Sequence, residues 1–194
     1  MRTRGLVITF VAAGLLVVGV GTAAIVLTGP PAEAPRSQAT ATGAPAPSAT
    51  AADSTPVTAA SLSYMIEEEK LAHDVYVVLG ETWGANIFGN IAASETTHEN
   101  LLVPLLASRG VVDSRSTELG VFTNPELQAL YDQLIAQGRT SYREAIQVGV
   151  TIEKKDIVDL NGAIALEGQA DVLSAYQRLL AGSQNHLAAF ERQA

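Results

Sequence analysis

The 194-residue chain contains no cysteine, which excludes a disulfide framework, thiolate metal sites and a cysteine nucleophile. That absence is compatible with either side of a membrane, so it does not place the protein. Cationic residues are scarce as well: from residue 58 onward, 9 lysines and arginines stand against 18 aspartates and glutamates. A surface that grips phosphates needs the opposite balance, so DNA and RNA are excluded as partners. Large apolar residues are almost missing from 29–57, and strand-type alternation is scarce beyond 58.

What is present divides the chain into three parts. Arg2 and Arg4 precede an uncharged run whose apolar part covers Leu6–Leu27. A spanning helix needs about 20 apolar residues and the core of a cleaved signal peptide about 7–15. Residues 1–28 are therefore expected to be an N-terminal membrane anchor, with a cleaved signal sequence as the alternative. Ala32-Glu33-Ala34 resembles a cleavage triplet, but Pro35 follows it. The arginines keep the N-terminus in the cytoplasm, so either reading puts the rest outside, as an extracytoplasmic domain on the cell membrane or as a secreted one. Residues 29–57, rich in Ala, Pro, Ser and Thr, cannot bury enough surface to offset their ordering entropy and read as a disordered linker. Residues 58–194 form the folded domain.

The pattern of that domain is helical. Expected helices cover about Thr58–Leu79, Asn86–Ser108, Thr140 or Ser141 to about Leu160, and Ala170–Arg192. A crossing of about 30 residues separates the second from the third and holds a short helix, Glu126–Gln137, announced by Asn124-Pro125. Pro104 should kink the second helix or end it early. Two hairpin-like pairs with one long crossover give an all-α, ferritin-like four-helix bundle with a short extra helix in the crossover.

Each long helix carries a stripe with spacings of three and four, as a bundle core requires. The stripes read Leu62, Met65, Glu69, Ala72, Tyr76, Leu79; Phe88, Ile91, Glu95, His98, Leu102, Leu105; Ile146, Val150, Glu153, Ile157, Leu160, with Asp156 on the adjoining edge; and Val172, Tyr176, Leu179, Ser183, His186, Phe190. Every stripe is apolar at its ends and polar in the middle. A lone carboxylate in such a core costs several kcal/mol, and no lysine or arginine interrupts the stripes. Two divalent ions would neutralise Glu69, Glu95, Glu153 and Asp156, while His98 and His186 offer imidazole nitrogens. The i, i+3 spacing sets Glu95 and His98 about 60° apart on the helix, so both reach one ion. Mixed carboxylate and imidazole ligation favours two ions of iron or manganese, with zinc as a substitute. For Glu95 and His98 the alternative is a surface pair, for Asp156 a capping or solvated side chain, and for Tyr76 plain core packing. Glu67 and Glu68 lie off the stripe and are expected to face water, and His73 to be exposed or packed at an edge. Trp83 is expected to pack at the bundle end.

Glu95-x-x-His98 and the order of elements resemble the ferritin-like di-iron proteins. Glu69-Lys-Leu-Ala-His-Asp-Val-Tyr76 is similar to the first-helix pattern of rubrerythrins and bacterioferritins. Glu67-Glu-Glu-Lys-Leu-Ala, Asn90-Ile-Ala-Ala-Ser-Glu-Thr-Thr-His98, Gly120-Val-Phe, Ile152-Glu-Lys-Lys-Asp-Ile-Val-Asp-Leu160 and Gly182-Ser-Gln-Asn-His186 more closely resemble an uncharacterised microbial family, domain of unknown function 2202. That resemblance covers roughly Ser61–Phe190. It implies Glu69 as a terminal ligand, Glu95 as a bridging or chelating one with His98 on the ion of Glu69, and Glu153 and His186 from the third and fourth helices. Ser183 stands where a second E-x-x-H would place its glutamate, and Asp156 is the candidate replacement. Tyr76, two turns from Glu69, is the candidate catalytic side chain, shuttling electrons or bonding to a ligand carboxylate.

The resemblance to the di-iron proteins implies ferrous oxidation, or reduction of peroxide or dioxygen, at a di-iron centre, here expected to be extracytoplasmic. The alternative is a surface-tethered module that scavenges metal, or holds it structurally, without turnover. A metal-free helical adaptor would need other partners for the core carboxylates. No C-x-x-C module feeds electrons, so a reducing cycle needs an outside donor. An N-terminal tether would obstruct a ferritin shell; a homodimer is one candidate assembly, and the sequence leaves the oligomeric state open.

Overall fold

The computed structural model describes residues 56–194, so the expected anchor or signal sequence at 1–28 and nearly all of the expected linker at 29–57 lie outside the described residues. Five helices and no strand occur among the described residues: α1 (Pro56–Trp83), α2 (Asn86–Ser108), α3 (Pro125–Gly138), α4 (Tyr142–Leu166) and α5 (Ala170–Glu191). None of these is long and apolar enough to cross a membrane.

Local chemistry sets several boundaries. Gly84, at a φ of 65°, turns the chain after α1, a backbone state that costs glycine nothing. Asn124 Oδ1 accepts from the backbone N–H of Glu126 at 2.9 Å, and Pro125 supplies a first-turn φ that suits a helix. Ser141 Oγ accepts from Glu144 N at 3.1 Å and caps α4. The second helix neither ends nor breaks at Pro104 but continues to Ser108. Both α1 and α4 run past their expected ends at Leu79 and Leu160, to Trp83 and Leu166. Trp83 packs where expected, its ring against Tyr142 and its Nε1 donating to Gly138 O at 2.9 Å.

The long helices form two hairpins, α1 with α2 and α4 with α5, which join through α1 against α4 and α2 against α5. Cross-helix ties fix the directions. Tyr64 meets Asp159 and Glu68 meets Lys155, so α1 and α4 are antiparallel. Ser94 meets His186, and Arg109 meets Asp171, so α2 and α5 are antiparallel as well. The second and fourth helices therefore run the same way, and the connection between them must traverse their whole length. Residues 109–141 do this, with α3 embedded in them and packed on α1 and α4.

The crossover accounts for one correction. Glu67 and Glu68, expected in water, are 2% and 3% exposed. The crossover roofs one side of α1: Glu67 accepts from Asn124 N at 2.9 Å and from Thr123 N at 3.2 Å. Beside it the Lys70–Asp74 ion pair is tied down by Lys70 Nζ donating to Glu118 O and Gly120 N donating to Asp74. Glu68 turns the other way, to Lys155 on α4. His73, partly exposed, keeps its Nδ1 2.9 Å from Asp74 Oδ1.

The interior is two apolar blocks. One gathers Tyr76, Leu79, Phe88, Ile146 and Phe190; the other gathers Leu62, Met65, Leu102, Leu160, Tyr176 and Leu179. The buried polar residues of the stripes lie between them in sequence on every long helix. Two stripe positions shift by one residue: Leu106 is buried rather than Leu105, and Asp156 rather than Ile157.

Candidate metal centre

Glu69, Glu95, His98, Glu153, Asp156 and His186 are all buried, none more than 9% exposed, and Tyr76 is fully buried. They come together at mid-height because each sits on the inward face of its own long helix. Two groups of three have ligand-type atoms all within 4.8 Å of one another: Glu69, Glu95 and His98, and Glu95, Glu153 and His186. Glu95 belongs to both.

The distances show how tightly the groups share the space. His98 Nδ1 is 2.9 Å from Glu69 Oε2 and 2.7 Å from Glu95 Oε2. His186 Nδ1 is 2.9 Å from Glu95 Oε1 and 3.7 Å from Glu153 Oε2. The two imidazoles stack, with centroids 5.4 Å apart. Tyr76 Oη donates to Glu153 Oε1 at 2.6 Å. Asp156 belongs to neither group of three; its Oδ2 accepts from Ser183 Oγ, across the core.

Two residues that helical periodicity does not single out hold the imidazoles in place. Ser94 Oγ lies 3.0 Å from His186 Nε2, which fixes the ring with Nδ1 toward the carboxylates. Gly182 lies against His98, and a Cβ built there would stand 2.5 Å from the ring's Cε1. Ser94 leaves no signal in a helical pattern, since it is off the stripe. A glycine inside a helix does leave one, because it lowers helix stability and so asks for a packing reason.

The electrostatics are those of an under-compensated cluster. Burial pushes the carboxyls of Glu69, Glu153 and Asp156 up, and for each the charge of neighbouring carboxylates adds to the effect. Burial acts on Glu95 in the same sense, but the imidazoles of His186 and His98 outweigh it and hold that carboxyl low. Burial disfavours charge on His98 and His186 too; their carboxylate neighbours prevail and push the imidazoles up to about 10 and about 9. Burial and the Glu153 charge push Tyr76 well up, so it remains a phenol and a donor.

Within the two ligand groups, three atoms have no hydrogen-bond partner although buried: Glu69 Oε1, Glu95 Oε1 and His186 Nδ1. Glu95 Oε1 and His186 Nδ1 are close, but not aligned as donor and acceptor. Unpaired buried groups of this kind cost several kcal/mol unless a cation meets them. Carboxylate oxygens and imidazole nitrogens are the donors that divalent first-row metals take. Each of the two groups could hold such an ion, one with Glu69, Glu95 and His98 and the other with Glu95, Glu153 and His186.

Comparison with known proteins adds relatives but no activity. The uncharacterized protein MJ0754 of Methanocaldococcus jannaschii is 43% identical over 129 residues, which is 66% of this chain and 70% of the relative. The crystal structure of hypothetical protein MJ0754 from Methanococcus jannaschii superposes with a TM-score of 0.70 at 40% identity, covering 72% of this chain and 80% of that one. Residues 58–194 match the uncharacterized protein domain DUF2202, and the chain belongs to that family.

Proposed function

We propose that this chain is a ferritin-like four-helix-bundle protein whose centre binds a pair of iron ions and oxidises ferrous iron with dioxygen or peroxide. The observation that carries the reading is Glu95, which belongs to both buried ligand groups while its Oε1 has no hydrogen-bond partner. A carboxylate common to two ligand sets is what a bridged pair of cations requires, and one ion in either set would leave the other uncompensated. Mixed oxygen and nitrogen donors favour iron; manganese suits the same set, and zinc substitutes for either. A bound ferrous pair supplies two electrons, enough to reduce one peroxide and two protons to water.

The protein's own groups have separable tasks in this reading. Glu69 and Glu153 are the terminal carboxylates, one per ion. His98 and His186 supply nitrogen ligands, and Ser94 keeps the His186 ring turned inward. Tyr76 anchors Glu153 through its phenol. Asp156, tied to Ser183, is a nearby negative charge rather than a member of either ligand group. The apolar blocks above and below exclude water, which strengthens every electrostatic contact between them. The apolar run near the N-terminus supports an extracytoplasmic setting, with electrons from an outside donor when the cycle is reductive.

The test uses the 194-residue chain, loaded anaerobically with ferrous iron. It should bind one ion per ligand group, about two per chain, and oxidise them when air or peroxide is admitted. Glu95→Ala should remove both ions, whereas His98→Ala and His186→Ala should each remove one. Tight binding without oxidation would replace this reading with the scavenger. Absence of binding would end it.

A further inference from the structure

A second polar cluster adjoins the centre without belonging to it. The antiparallel pairing of α1 and α4 sets Tyr64 against Asp159 and Glu68 against Lys155, with Asp156 next to Lys155 on the same helix. The Lys155 ammonium donates to Tyr64 Oη at 2.6 Å, Glu68 Oε1 at 2.5 Å and Asp159 Oδ2 at 2.5 Å. This position thus already holds a cation among three oxygens.

The cluster also has unused ligand capacity. Glu68 Oε2 and Asp156 Oδ1 are both buried without a hydrogen-bond partner. Burial, and after it the charge of Asp156, push the Glu68 carboxyl up, so the two carboxylates feel one another. The outermost acid, Asp159, has a side chain 29% exposed, whereas that of Glu68 is only 4% exposed and Asp156 is likewise buried. Asp156 in turn is acted on by the charges of Glu69, Glu153 and Glu95. Acids therefore succeed one another from the surface to the ligand groups.

We propose that Asp159, Glu68 and Asp156 form the path by which divalent cations reach the metal centre, with the Lys155 ammonium as the displaceable occupant of its outer position. This rests on the di-metal reading of the centre. A lysine is suited to such a post because its charge rides on a flexible four-carbon stem. With that stem swung outward, Asp159 and Glu68 present carboxylates to an incoming ion, and the unpaired oxygens of Glu68 and Asp156 come next. Oxygen donors alone hold such ions loosely. The imidazoles of the two ligand groups, absent from the path, make the centre the tighter destination.

Cobalt(II) uptake by the 194-residue chain, followed by stopped-flow absorbance, tests this. Asp159→Asn and Glu68→Gln should each slow loading about tenfold at low salt, the scale on which a charged cleft raises on-rates, and leave the final number of ions unchanged. Lys155→Met should speed it. Loading by Asp159→Asn and Glu68→Gln at the unmodified rate overturns the path and leaves the metal reading intact. A lower final count for Glu68→Gln overturns it as well, because Glu68 would then be a ligand. Failure of the unmodified chain to take up cobalt defeats both. Asp159 is partly exposed, so its variant reports even where a change at Glu68 prevents folding.

Discussion

Gly182 on α5 and His98 on α2 are in such close register that a single added methyl carbon would stand 2.5 Å from the imidazole Cε1. The ring has nowhere to retreat, since its Nδ1 edge is already against Glu69 and Glu95. Gly182→Ala should therefore destabilise the protein by about 1–3 kcal/mol, the usual cost of overpacking, and, on the proposed di-metal reading, lower the ion count by the one assigned to His98. In a His98→Ala background the ring is gone. There the same substitution should stabilise by about 0.5–1 kcal/mol, the ordinary gain of alanine over glycine inside a helix. Thermal denaturation of the four proteins in the cycle decides the matter. An equal penalty in both backgrounds would mean that Gly182 does not act through His98.

Tyr76 separates a ligand from a ligand's partner. Its phenol donates to Glu153 at 2.6 Å and is packed against Phe88 and Phe190. Tyr76→Phe preserves the packing but strips Glu153 Oε1 of its donor. The metal-free protein should lose about 1–3 kcal/mol, the cost of leaving a buried hydrogen-bond acceptor unpaired, while the ion count stays as before. Metal analysis beside thermal denaturation checks both halves. A fall in ion count would make Tyr76 a ligand.

The pH dependence of the metal-free fold should run opposite to that of common acidic proteins. His98 and His186, raised to about 10 and about 9 by adjoining carboxylates after burial is overcome, contribute stability that is complete below their unfolded value of about 6.5. That contribution is lost as pH rises through the raised values. Burial raises Glu69, Glu153 and Asp156 as well, so the fold binds more protons than the unfolded chain and weakens further as pH climbs. Melting temperature without metal should fall from about pH 5 to about pH 9. With divalent metal present the trend should reverse, because ions and protons compete for the same atoms. A metal-free melting temperature that rises across this range would show that the cluster is not protonated as described.

How much of this was legible beforehand depended on whether helical periodicity carried the information. The stripes located Glu69, Glu95, His98, Glu153 and His186 on inward faces, because an amphipathic helix reveals its buried side in its own spacing. The burial of Glu67 and Glu68 is absent from the stripe for the complementary reason: Glu68 is covered by Lys155 on α4. What buries Glu67 is a loop more than fifty residues away, supplying the N–H groups of Thr123 and Asn124, and no pattern along α1 encodes that roof. Asp156, read from the spacing as lying at the edge of the inward face, is buried there with a hydrogen bond from Ser183 on α5, a partner that the spacing along α4 does not reveal. Ser94 was invisible, since a serine off the stripe reads as surface until His186 is placed beside it.

The shared direction of α2 and α4 divides the centre in time as well as in space. Glu69, Glu95 and His98 all come from the first hairpin, whereas the other group joins Glu95 to Glu153 and His186 from the second. A chain emerging from the ribosome holds every member of the first trio once residue 98 is made. The other trio must wait until the crossover has carried the C-terminal hairpin back along the N-terminal one. Assembly thus has an inherent order, with every residue of one group already made while two of the three in the other have yet to be synthesised.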